Sequence, residues 1–139
     1  MLLASLLVIL FCWIAPRTVD AANIYIRPGA TGAATGADWT DALTSIPASA
    51  SLVRGNTYYL AAGTYGDGGT TTFSTAVSGT TLITFQKATV ADHGTSVGWD
   101  DAYASGAAQW INNARWEVTS SYWVFDGVTG TGTPPYLPI

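Results

Sequence analysis

The residues with the most chemical potential lie close together in the second half of the chain: Trp99, Asp100, Asp101 and Tyr103, with Trp110 a little further on. Aromatic faces offer flat apolar surface of the kind sugars stack on, and carboxylates beside them accept hydrogen bonds from hydroxyls. Trp99, Tyr103 and Trp110 read equally well as core side chains and as such platforms. For Trp39, Trp116 and Phe125 the alternation of the sequence points to core. Asp92-His93 contains the single histidine of the chain, the side chain suited to acid–base work near neutral pH. A turn in which His93 bonds to backbone is the competing reading. A Ser-His-Asp set is arithmetically possible, but no Gly-x-Ser-x-Gly elbow is present to expose a nucleophile. The glycines of 127–132 are in the wrong order for a dinucleotide fingerprint and precede prolines, not a helix.

What must position these residues is a chain of 139 residues, 48% hydrophobic and 10% charged, long enough for one domain. The 12% aromatic content argues against disorder. Residues 1–15 form an apolar run broken only by Ser5, too short for the ~20 residues that span a bilayer. Pro16 ends the run, and small or β-branched residues stand at Val19 and Ala21, so 1–21 is expected to be a secretory signal peptide. No Lys or Arg precedes the run, which keeps an uncleaved anchor open as the alternative. The one cysteine, Cys12, falls in this segment, so residues 22–139 carry no thiol for a disulfide or a metal. After residue 21 the cations are Arg27, Arg54, Lys87 and Arg115 alone, which excludes a basic footprint for nucleic acid.

The composition from residue 22 is that of an all-β protein, with 19 Thr and 15 Gly. Residues 23–27 alternate, with Ile24 and Ile26 on one face, and Pro28-Gly29 stops them. Asp38 and Asp41 resemble an N-cap with an acidic partner, and Trp39, Ala42, Leu43 and Ile46 fall on one helical face. A short helix ended by Pro47 is therefore expected. Further strands are expected at 57–60, 81–85, 115–119 and 122–125, with 63–66 closing the second unit. Ile24, Ile26, Leu60, Ile83, Val118 and Val124 should share one core. The 87–114 segment shows no sustained periodicity, and a long excursion of that kind is often functional. The tail from Thr131 is rich in Pro and is not expected to form a strand. No Asn-Gly hairpin signal joins the strands, and long connections favour parallel crossovers. The spacing fits coils of about 20–25 residues, one of them interrupted.

Several of these segments resemble the right-handed parallel β-helix, or pectate-lyase-like, family. The resemblance rests on residues 23–32, on Gly55-Asn56-Thr57 leading through Leu60 to Gly63-Thr64-Tyr65, on Ile83-Thr84-Phe85, and on residues 120–127. It covers nearly all of 22–130, and Asn56 departs from the Asp that is commoner there. The resemblance implies an all-β, right-handed parallel β-helix, of which this chain is the N-terminal cap with its short helix and the first coils. It also implies a secreted, cell-surface or periplasmic protein that binds or degrades extracellular polysaccharide, by lyase or hydrolase action on coils beyond this chain. A non-enzymatic surface or adhesion protein is the alternative, with the β-helix as a stalk and the 87–114 loop as the contact.

Family enzymes that cleave acidic polysaccharide use Ca²⁺, which takes six to eight oxygens. The candidates the resemblance directs attention to are Asp92, His93, Asp100 and Asp101, none with EF-hand spacing. Glycan contact is expected at Trp99, Asp100, Asp101, Tyr103 and Trp110. An open solenoid end with unpaired strand edges would favour self-association.

Overall fold

A computed structural model describes residues 20–127. The signal-peptide reading and the Pro-rich tail therefore lie, almost entirely in the first case, outside the described residues. The protein is all-β. Its strands are β1 (Asn23–Ile26), β2 (Thr57–Leu60), β3 (Gly63–Asp67), β4 (Thr70–Phe73), β5 (Ile83–Lys87), β6 (Ala108–Ile111), β7 (Arg115–Val118) and β8 (Trp123–Asp126). The only helical turns among the described residues are two 3-10 segments, Ser49–Ser51 and Asp101–Ala104. No helix there is long and apolar enough to cross a membrane.

Every strand pair is parallel, in three sheets ordered β1-β2-β5-β8, β3-β6 and β4-β7. The chain visits the sheets in a fixed cycle. It runs through β2, β3 and β4, repeats the circuit through β5, β6 and β7, and returns to the first sheet at β8. The corners repeat too. Gly68 and Gly69 turn β3 into β4 at φ of 70° and 73°, and Asn112 and Asn113 do the same for β6 and β7 at 53° and 60°. Asn is the side-chain-bearing residue that best tolerates this left-handed conformation, so it can stand where Gly does.

In a parallel ladder each residue lies over its register partner. Ile24, Tyr58, Phe85 and Phe125 therefore form one inward row across the first sheet. Tyr58 stacks on Phe85 at 5.1 Å and Phe85 on Phe125 at 5.6 Å. Phe73, from the third sheet, points into the middle and meets Phe85, Trp116, Trp123 and Phe125 edge-on at 5.1–5.5 Å. Ile26, Leu52, Leu60 and Ile83 complete this inner core. Two expected members depart from it. Trp123 and Phe125 point inward, and Val124 alternates away from them beside Thr84. Val118 shares its register with Phe73 but is 48% exposed, because no described strand lies beyond β7.

The expected helix over 38–46 does not form. Asp38 Oδ1 does accept from Asp41 N–H at 2.9 Å, closing a local turn with no helix after it, and the Asp41 carboxylate accepts from Ala33 N–H at 2.7 Å and does not reach back to Asp38. The backbone beyond then bonds sideways: Leu43 N–H donates to Tyr25 O at 2.9 Å and Arg27 N–H donates to Leu43 O at 2.8 Å. These bonds cover the outer edge of β1, and a helix would have used the same groups internally. Trp39 and Ala42 enter one core, and Leu43 and Ile46 pack on the other. The structure also has three strands that were not expected: β3, where 63–66 was read as closing the second unit, β4, and β6, the last of them inside the 87–114 segment.

Arg54 fixes the third corner at three levels. Its guanidinium donates to Thr75 O at 2.7 Å, Ala76 O at 3.1 Å and Tyr122 O at 2.8 Å, and it lies 4.8 Å above the Trp123 ring. Arg54→Lys loses the planar fork that reaches all three, and it should lower the stability measured by urea unfolding by about 1–3 kcal/mol. Trp39, fully buried, should cost about 3–5 kcal/mol when replaced by Ala. A near-neutral Trp39→Ala would mean that the 29–47 segment is not docked as described.

Candidate functional site

The first sheet has a second, outward row: Tyr25, Tyr59, Gln86 and Asp126, aligned by register. Tyr25 and Tyr59 stack nearly parallel at 5.6 Å. Against them pack Trp39, Ala42, Ala61 and Ala88, with Trp99 and Tyr103 at the margin, making an aromatic cluster outside the sheets. The segment that covers this row is 88–107, which connects β5 to β6. The equivalent corner one circuit earlier, from β2 to β3, takes only residues 61 and 62.

Contacts from Trp39, Tyr25 and Lys87 help to hold the long segment down. Trp39 Nε1 donates to His93 O at 3.0 Å, and Trp39 N–H donates to Val97 O at 3.1 Å. Gly94 lies flat on the Tyr25 ring, so close that a Cβ there would overlap the phenol. The third contact is Lys87. Its side chain is 3% exposed, and its ammonium donates to Ala88 O at 2.7 Å, Tyr103 O at 3.2 Å and Ala104 O at 3.4 Å. Burial pushes its pKa down to about 8. At neutral pH it is therefore still charged, with a proton for each of the three carbonyls.

Four of the five expected contact residues, Trp99, Asp100, Asp101 and Tyr103, lie together at the 3-10 turn, and Trp99 and Tyr103 pack against Trp39. Trp99 is tilted against Trp39 at 5.0 Å and meets Tyr103 edge-on at 5.8 Å. Its Nε1 donates to Asp101 Oδ1 at 2.8 Å. One face of Trp99 is taken by the His93 ring, stacked at 4.3 Å. Asp100 caps the 3-10 turn by accepting from Ala102 N–H at 2.8 Å. Arg27 sits 4.8 Å above the Tyr103 ring. Trp110 is elsewhere: β6 turns it toward the inner core, where it stacks on Tyr65 at 5.6 Å.

Asp92 joins the site from the other side. It accepts from Tyr59 Oη at 3.1 Å and from Gln86 Nε2 at 2.7 Å, and Gln86 lies next to Asp126 in register. Burial first, and the bond to Asp92 second, push the Tyr59 phenol up to about 12. Burial pushes Tyr65 up as well; its hydroxyl lies 3.0 Å from Ile26 O and 2.9 Å from Ala61 O, and its one proton is shared between them. Tyr59, Gln86 and Asp126 were not singled out in the sequence, because only strand register reveals that they share a row. The alternation of 57–60, which turns Tyr59 away from Tyr58 and Leu60, was the available signal.

The candidate calcium ligands do not converge. His93 bonds to Val90 O at 3.2 Å and to Ser96 Oγ at 3.4 Å. Asp92, Asp100 and Asp101 each serve a different protein donor, and no group of three or more His, Cys, Asp or Glu among the described residues is placed to hold a metal. This arrangement does not supply the oxygen cage that a calcium ion takes. No family model matches the chain, and searches of curated proteins and of solved structures return no similar protein.

The titrations predict the pH profile of stability. Lys87 is depressed from 10.5 to about 8, so the unfolded chain binds more protons between those values. Its contribution is present above 10.5 and is lost as pH falls through about 8. Tyr59 is raised from 10.0 to about 12, so its contribution is present below 10 and is lost as pH rises toward 12. The urea midpoint should climb from pH 7.5 to near 10 and then fall. A steady fall between pH 8 and 10 would show that the Lys87 amine is not buried, and Lys87→Met should abolish the climb.

Proposed function

We propose that this chain is the N-terminal part of a secreted parallel β-helix protein that binds or degrades extracellular polysaccharide, with any catalysis on coils beyond this chain and glycan contact at the segment folded over Tyr25 and Tyr59. The observation that carries this reading is the repeated cycle through three parallel sheets, with equivalent glycine and asparagine corners at successive levels. A chain that returns to the same sheet by a crossover favours right-handed coils, because a right-twisted strand packs back onto its sheet that way. The signal-like residues 1–21 support export.

The long second-circuit corner supports the choice of contact site. It carries half-buried Trp99 and Tyr103 beside exposed Asp92, Asp100 and Asp101. Carboxylates of one sign repel a polyuronate and accept bonds from neutral sugar hydroxyls, so a neutral polysaccharide fits best. The protein donors that occupy these carboxylates favour binding here, with any catalysis resting on coils beyond this chain. The same feature favours the second reading, a non-enzymatic surface or adhesion protein.

Titration calorimetry with neutral gluco-, xylo- and manno-oligosaccharides, and with oligogalacturonate with and without Ca²⁺, tests the proposal. A neutral oligosaccharide should bind, and Trp99→Ala should weaken it about tenfold, the scale of one lost aromatic contact. Binding only of uronates with Ca²⁺ would replace the neutral class with an acidic one. Binding of none of them, or binding indifferent to Trp99→Ala, would sink the site.

A further inference from the structure

We propose that the Arg27 guanidinium, set over the Tyr103 ring, binds a single carboxylate on an otherwise neutral glycan held at the 88–107 segment. This inference rests on the glycan reading of that segment and names the one charged group the bound chain carries. Arg27 follows Ile26 directly, so the alternation of β1 carries its side chain to the outward side, where Tyr25 and Tyr103 lie. Its backbone is pinned on both sides. Arg27 N–H donates to Leu43 O at 2.8 Å, and Arg27 O accepts from Ala30 N–H at 3.1 Å.

A guanidinium carries five N–H donors, and Arg27 uses almost none of them. Nη2 makes one long bond, to Trp39 O at 3.4 Å. Nε is buried with no acceptor. Among the described residues no bond reaches Nη1. What orients the group is the Tyr103 ring, 4.8 Å away, and a contact of that kind holds a cation by its face without taking up its N–H groups.

The carboxylates of the neighbouring segments turn elsewhere. Asp38 accepts from Asp41 N–H, and Asp41 from Ala33 N–H. Asp100 accepts from Ala102 N–H and Asp101 from Trp99 Nε1, although both stand within three residues of Tyr103. Lys87, the other cation at Tyr103, is 3% exposed and gives its protons to three carbonyls. Arg27 is therefore the cation of this site left without a matching group, and it is half-buried. A charge drawn partly out of water is costly until it is paired, and a planar fork with free N–H groups on both terminal nitrogens suits a carboxylate. The exposed Asp92, Asp100 and Asp101 repel a chain charged at every sugar. One positive group among these negative ones selects a chain with an acidic residue between neutral ones.

The test is titration calorimetry of the full chain with tetrasaccharides of glucose, xylose and mannose, each neutral, with one uronic acid, and with one sulfate ester. The readout is the ratio of affinities between the charged and neutral forms of the same sugar. The uronic acid form should bind about tenfold tighter than its neutral parent at low salt, and the ratio should shrink in about 0.5 M salt. Arg27→Gln should bring the ratio close to one. Arg27→Lys, which keeps the charge without the fork, should leave it in between. Equal affinity of the uronic acid and neutral forms would overturn the inference and leave the glycan site standing. No binding by any form would remove the site and the inference together. A ratio unmoved by Arg27→Gln, or a sulfate form tighter than the uronic acid form, would also overturn the assignment.

Discussion

Parallel registration is the constraint from which the rest of the molecule follows. When strands of successive circuits lie directly over one another, each side chain meets its counterpart one level away, and a row is either wholly inside or wholly outside. Tyr58, Phe85 and Phe125 stack because they occupy the same place in their circuits. Tyr25, Tyr59 and Gln86 are turned outward together for the same reason. Phe73 then closes the interior from the third sheet, meeting four aromatic rings at once.

Local pattern was legible where burial alternates cleanly and illegible where it does not. Ile24 and Ile26 stand apart from polar neighbours, and β1 is where their alternation puts it. The run Trp123-Val124-Phe125 is apolar throughout, so only pairing with Ile83, Thr84 and Phe85 settles which members point inward. The threonines of β4 carry no contrast at all before Phe73. Around 38–46 the Asp38 side chain makes the turn bond that the pattern suggested, but no helix follows it, because the edge of β1 takes the backbone groups that a helix would have used. Within the candidate site, Trp99, Asp100, Asp101 and Tyr103 were legible by proximity along the chain. Tyr59, Gln86 and Asp126 come from three different strands and meet only through register.

The arrangement at the outer face divides labour between two kinds of interaction. Aromatic packing of Trp39 and Tyr25 holds the body of the 88–107 segment, and the Lys87 ammonium anchors its 3-10 turn by carbonyls. The exposed carboxylates are left to the surface, each oriented by a donor of known position. A loop with so few backbone bonds to the sheets is thereby given a defined shape without becoming part of the ladder.

The unequal corners between the first and second sheets have a consequence for how such a protein can change. A strand in this stack responds to the strand above and the strand below, and has no means of registering how many residues were traversed between sheets. The passage from β5 to β6 is ten times the length of the one from β2 to β3, yet both deliver the chain to the same place. Corners are thus sites of free insertion: a lineage can lengthen, shorten or exchange the 88–107 segment wholesale and retain its frame. Novelty can accumulate on the outside of this scaffold at the rate of loops, while the interior evolves at the rate of cores.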